Sequence, residues 1–188
     1  NLREVVAAGG WHQKEVPQWI NTKKPYRLLK ERPDVLAFET DPLEDNIEVT
    51  GEVIVKLWIS STAVDTDFTV KLIDVYPSSE DYPEGYHLNL VDTIRRARYR
   101  YSWTEPELLT PGKPVEISIP LWPTSNVFKK GHRIRIDVSS SNFPRFDVNP
   151  NTGDEVGRHT KMVKADNTVH TSSEFASRVI IPIIPPNN

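Results

Sequence analysis

Between residues 53 and 138 apolar side chains recur at every second position, a period that belongs to strands rather than helices. Val53, Val55, Leu57 and Ile59 alternate with Glu52, Ile54, Lys56 and Trp58. The same repeat runs through Phe68, Val70 and Leu72, then Val115, Ile117, Ile119 and Leu121, then Ile134, Ile136 and Val138. Each run offers one face to a core and the other to solvent or a second sheet. Sixteen prolines among 188 residues, against eight glycines, point the same way. Proline breaks helices, and this is nearly twice its ordinary usage. Turn signals at Asp41-Pro42, Pro77-Ser78-Ser79, Pro83-Glu84-Gly85, Pro111-Gly112 and Lys130-Gly131 separate the runs. A long loop follows from Ser139 to about Asp154, and Ser177 to Ile184 reads as one final apolar strand stopped by Pro185-Pro186. Residues 1–33 show no period and read as an irregular arm. The expected fold is all-β, a jelly-roll β-sandwich over residues 34–188 with that arm ahead of it.

A chain of 188 residues supports one good core. Its formal charge of −3 argues against a dedicated nucleic-acid binder, whose domain is usually strongly basic. No window approaches the roughly 18 apolar residues of a membrane-spanning helix, so neither nucleic acid nor membrane is an expected partner. Cysteine is absent, which removes disulfides, thiolate-bound metals and thiol catalysis without fixing the compartment. The chain opens on Asn1 with no leader pattern, and its single methionine is Met162, so it reads as a piece of a longer polypeptide.

No catalytic motif is legible. None of the glycines follows a serine by two residues, so the Gly-x-Ser-x-Gly elbow of α/β-hydrolases is missing. His-Glu-x-x-His and phosphate-cradling glycine loops are missing too. His12, His87, His132, His159 and His170 are scattered, with no pair spaced to share a metal, and read as structural or solvated. His132, beside Gly131, reads as a turn cap. No metal and no cofactor are expected. Asp65 and Asp67 have the chemistry of a calcium site, but they equally suit a turn in which Asp bonds its own backbone, and the turn is the preferred reading.

Arg95, Arg96, Arg98 and Arg100, interleaved with Tyr99 and Tyr101, form the strongest charge feature. On a strand the guanidinium groups of Arg96, Arg98 and Arg100 share a face, which suits carboxylates of a neighbouring protein surface. A plain solvated face and, third, nucleic acid are the alternatives. Of the tryptophans, Trp58 and Trp122 read as packing residues. Trp11, Trp19 and Trp103 are the better candidates for stacking a sugar ring or anchoring the arm.

An ordered series of motifs covers most of the chain. It begins with Glu31-Arg32-Pro33-Asp34-Val35-Leu36, Glu48-Val49-Thr50-Gly51, Ser60 to Phe68 (SSTAVDTDF) and Lys71 to Val75 (KLIDV). Arg96-Ala97-Arg98-Tyr99-Arg100, Asn126 to Ile134 (NVFKKGHRI), Ser139 to Asp147 (SSSNFPRFD), Asn149 to Gly153 (NPNTG) and Ser177-Arg178 complete it. From about residue 31 to 185 the chain closely resembles the C-terminal domain of the X-Pro dipeptidyl-peptidase and cocaine-esterase-like serine hydrolases. The resemblance implies a sandwich of the galactose-binding-like type, following an α/β-hydrolase domain and a helical cap that supply the catalytic Ser, Asp and His. It also implies acyl chemistry in the parent, on X-Pro peptides, aryl esters or α-amino-acid esters, through an acyl-enzyme. No catalytic residue falls in this chain on that reading. Leu2, Val5 and Val6 are candidate contributors to the acyl pocket. Arg96, Arg98, Arg100, Asn142, Phe143, Arg145 and Asp147 are candidates for the face that meets the upstream hydrolase and cap domains. A carbohydrate- or peptide-binding module is the runner-up, and homo-oligomer contacts of the parent are a third role.

Overall fold

The alternating runs fold as antiparallel strands. The computed structural model describes residues 34–83, 85–155 and 157–185. Its strands are β1 (Leu36–Glu39), β2 (Ile47–Gly51), β3 (Ile54–Ser61), β4 (Asp67–Val75), β5 (His87–Arg96), β6 (Val115–Pro120), β7 (Thr124–Phe128), β8 (Arg133–Ser139), β9 (Asn167–His170), β10 (Arg178–Ile180) and β11 (Ile183–Ile184). One sheet has the order β1-β8-β4-β5. A second runs β10-β3-β6 with β9 also on β3, and a third runs β11-β2-β7. Leu2, Val5, Val6, Trp11, His12 and Trp19 lie outside the described residues.

The core forms where the inward residues of these sheets meet. Phe68, Val70 and Leu72 of β4 and Ile134, Ile136 and Val138 of β8 pack on one side. Val55, Leu57 and Ile59 of β3, Ile117 and Ile119 of β6, and Val49 and Phe128 close it from the other. All but Val49 and Phe128 are residues the period-two pattern singles out, and the architecture is an antiparallel β-sandwich.

Three expectations change. The final strand is broken: Arg178–Ile180 pairs with β3, whereas Ile183–Ile184 pairs with β2. Pro182 lies at the break and has no N–H for a ladder. Its carbonyl accepts the Thr50 amide at 3.2 Å, and the chain passes from one sheet to the next there. Trp122, read as packing, is exposed. It follows the last residue of β6 by two positions, beyond the sheet that would cover it.

The third change concerns the face of the four-stranded sheet turned away from the apolar core. Alternation assigns it to solvent or a second sheet, yet every residue of β4 is buried, Thr69, Lys71 and Asp74 included. Arg135 and Asp137 of β8 and His87 and Asn89 of β5 are buried with them. Polar groups survive burial only when hydrogen-bonded. Arg135 donates from Nε and Nη2 to Asp137 at 2.9 and 3.2 Å, and its Nη1 lies 2.8 Å from His87 Nδ1. In the strand register Lys71 stands between Asp137 and Asp92, so charges alternate across three strands.

Candidate interdomain interface

Among the described residues β5 is the last strand of its sheet, and most of the candidate interface residues gather along it or at its end. Ala97 N–H still donates to Thr66 O at 2.9 Å, one pair beyond Asp67–Arg96 in the β4–β5 register, and the strand ends there. Ala97–Tyr99 then make a single 3₁₀ turn, closed by Arg100 N–H to Ala97 O at 3.2 Å. The expected strand carrying three arginines on one face therefore does not form. Each guanidinium goes to a different partner within the domain.

Arg96 donates from Nε and Nη2 to the two oxygens of Asp67, at 2.9 and 3.0 Å. Buried Arg98 gives its backbone N–H to Asp65 Oδ1 at 3.0 Å and its Nε to Asp65 Oδ2 at 2.7 Å. Its Nη1 reaches Asp154 O at 2.8 Å. Arg100, also buried, pairs with the carboxylate and carbonyl of Glu107. Asn149 Nδ2 bridges the two aspartates, 2.9 Å from Asp65 Oδ2 and 2.8 Å from Asp67 Oδ1. Asp65 and Asp67 are thus neither a self-capped turn nor a cation site. They are the acidic half of a buried ionic knot tying the β3–β4 connection, the 3₁₀ turn and the 149–154 loop together.

Burial pushes the Asp67 carboxyl above its ordinary value of 3.8, outweighing the opposing pull of the Arg96 guanidinium. The hydrogen bond to Asp67 raises Arg96 in turn. Of the expected interface row, Arg98 and Arg100 are spent internally, and only Arg96 keeps part of its side chain in solvent.

The loop after β8 hangs from the same strand. Asp92 of β5 accepts Asn142 Nδ2 at 2.6 Å and lies 3.2 Å from Arg145 Nη1. Asn142 is buried as the anchor, while Phe143, Arg145 and Asp147 are exposed around it. Beyond the 3₁₀ turn, Tyr101 and Trp103 stand 65% and 73% exposed. The Trp103 ring lies over the Arg95 guanidinium at 4.0 Å, and the Tyr101 ring over that of Arg100 at 4.7 Å. Arg95 belongs to the arginine cluster legible in the sequence, but alternation sets it on the opposite face from Arg96, Arg98 and Arg100, so it was not among the expected interface residues.

The pieces of a catalytic triad occur apart. Ser60 Oγ and His170 Nε2 are 2.9 Å apart between β3 and β9, with no carboxylate paired to that histidine among the described residues. His132 is no turn cap: its Nδ1 lies 2.8 Å from Asp74 Oδ1, and no serine hydroxyl bonds it. Acyl transfer by a serine needs nucleophile, base and orienting acid in one relay, and the described residues contain no such relay. Nor do they contain a group of three or more His, Cys, Asp or Glu able to hold a metal ion. Two concavities are found among the described residues. One of about 390 Å³ is walled by Tyr76, Tyr82, Tyr86 and His132. The other, about 640 Å³, opens beside β1 between Leu36, Phe68, Val138, Asn149 and Met162.

The described residues form a β-sandwich with its charges knotted internally and exposed aromatics beyond one end of β5. The chain belongs to the X-Pro dipeptidyl-peptidase C-terminal non-catalytic domain family, whose model matches residues 7–180. Over 160 residues it is 45% identical to the cocaine esterase of Rhodococcus sp. (strain MB1 Bresler), covering 84% of this chain and 27% of that one. Among solved structures it superposes on an α-amino acid ester hydrolase with a TM-score of 0.78 at 36% identity, covering 84% of this chain and 27% of the other. An aminopeptidase from a marine sediment thaumarchaeon gives the same TM-score of 0.78 at 35% identity, covering 82% of this chain and 26% of the other. The chain thus spans about a quarter of the length of the relatives it matches. It is a non-catalytic C-terminal domain of the kind carried by X-Pro dipeptidyl-peptidase-like and cocaine-esterase-like hydrolases, and these matches disfavour a separate carbohydrate- or peptide-binding module.

Proposed function

We propose that this domain supports the hydrolase portion of a longer serine hydrolase polypeptide, docking through the β5 edge and the loop at Asn142–Asp147 and helping to wall the substrate cleft. The observation that carries this reading is the pairing of a family match to a non-catalytic domain with the exposed Phe143, Arg145 and Asp147 and the partly exposed Arg96, gathered on an anchored edge. Arg98 and Arg100 serve it indirectly, by fixing the turn that presents Tyr101 and Trp103. Acyl transfer in the parent, on esters or X-Pro peptides, follows from the same reading. So does assignment of the sandwich to the jelly-roll, galactose-binding-like type. Leu2, Val5 and Val6 remain proposed contributors to the acyl pocket, and the upstream hydrolase and cap domains the proposed partners.

Mixing the chain with the separately expressed hydrolase portion and measuring mass by sedimentation tests the docking. A one-to-one complex at micromolar concentration is expected. Independent sedimentation at tens of micromolar would overturn the supporting role.

A further inference from the structure

We infer that Arg95 and Trp103 form a latch that accepts a carboxylate side chain from the hydrolase portion of the parent polypeptide. The inference rests on the supporting role just proposed and names the contact that fastens it.

Among the described residues, every arginine except Arg95 has a carboxylate within 4.0 Å. Arg96, Arg98 and Arg100 have Asp67, Asp65 and Glu107. Arg133, Arg135, Arg145, Arg158 and Arg178 are paired likewise. Arg95, one residue from the end of β5, has none, although it is only 8% exposed. Its Nη2 donates to Arg100 O at 3.1 Å, while Nε and Nη1 are buried with no hydrogen-bond partner. Burial without a compensating anion also lowers its affinity for the proton. A buried guanidinium with open donors is a costly arrangement that folding alone does not reward.

Beside these donors stands the Trp103 indole, its ring centroid 4.0 Å from the Arg95 Cζ and the residue itself 73% exposed to solvent. An indole held mainly by a cation–π contact on a short turn is lightly fixed. Ser102 Oγ secures that turn by accepting the Thr104 and Glu105 amides at 3.2 and 3.1 Å, leaving the ring free to swing on its own side-chain torsions. In the latched state the arriving carboxylate takes the open Nε and Nη1 donors, and the indole and Tyr101 pack against the arriving surface. Arginine with tryptophan and tyrosine, desolvated at the centre of a patch, is the composition that dominates binding energy at protein interfaces.

The occupant is an aspartate or glutamate, because an uncompensated buried cation calls for full negative charge. Its source is the remainder of the polypeptide, since the match spans only 27% of the cocaine esterase relative and the rest of that length lies outside this chain.

The test compares Arg95→Met in two contexts, with opposite signs expected. In the 188-residue chain the substitution removes an unpaired buried charge and keeps the apolar stem, so the melting temperature should hold or rise by about 2–4 °C. In the full parent it removes the latch, so thermal inactivation should run at least tenfold faster, and Trp103→Ala should do the same. Acrylamide quenching assigned to Trp103, by difference from Trp103→Phe, should drop sharply in the parent relative to the chain alone. If Arg95→Met destabilises both contexts alike, Arg95 is merely structural and the latch is wrong. If the parent is indifferent to both substitutions, the latch is wrong while the one-to-one complex can still stand. Arg95-dependent self-association of the chain alone would assign the site to a second copy and overturn the assignment made here.

Discussion

Asp65 and Arg98 are 33 residues apart in sequence and 2.7 Å apart in the fold, both out of solvent. Removing one partner of such a pair strands the other charge in a low-dielectric site, a loss of about 3–5 kcal/mol. Asp65→Ala is therefore expected to lower stability by that much in urea unfolding, whereas exposed Trp122→Ala should stay within about 0.5 kcal/mol. Equal small effects would remove the knot from the account. Asp67 adds a pH signature. Its folded-state proton affinity is raised by burial, so its stabilising contribution is fully present below the unfolded value near 3.8 and is lost as pH rises through the folded value. In melts of wild type and Asp67→Asn between pH 3 and pH 7, the wild type should gain on the variant toward the acid end. A gap that instead closes toward acid would mean the Arg96 pair, not burial, dominates. None of this pairing was legible in the sequence. Asp65 and Asp67 looked like a turn because local self-bonding is the nearest use for neighbouring acids, and their actual partners, Arg96, Arg98 and Asn149, lie 29 to 84 residues further along the chain.

At the scale of elements, the alternating strands β3, β4, β6 and β8 were readable because their inward positions are aliphatic or Phe. β5 was not, because its buried positions include His87, Asn89, Asp92 and Arg95, which apolar periodicity cannot see. The last strand was found but not its break, since Val179 to Ile184 keeps an apolar pattern while Pro182 divides the pairing between two sheets. Turn chemistry fared better. The Lys130-Gly131 signal joins β7 to β8, and Gly131 adopts φ 83° with open space where a Cβ would sit. Gly131→Ala should thus cost about 1–2 kcal/mol through backbone conformation alone. At Gly153, φ 77°, an added Cβ would also meet Val64 Cγ2 at 2.9 Å. Gly153→Ala is expected to cost more than Gly131→Ala in the same denaturation assay, and the reverse order would contradict the packing of the 149–154 loop against the β3–β4 connection.

For the whole molecule, the family was legible because many short motifs occur in one order, and several mark the knot: SSTAVDTDF holds Asp65 and Asp67, RARYR holds Arg96 and Arg98, and NPNTG holds Asn149. Which of those residues face outward was not legible, because a guanidinium reads the same in sequence whether it meets a partner domain or an aspartate of its own chain. The central claim is that this chain carries no chemistry of its own and serves a hydrolase that does. The most direct measurement is aryl-ester and X-Pro-anilide hydrolysis by the chain alone, by the separately expressed hydrolase portion, and by the two mixed. No turnover by the chain, with activity higher or longer-lived in the mixture than in the hydrolase portion alone, is the expected result. Saturable hydrolysis by the isolated chain, abolished by a serine-directed inhibitor, would contradict it.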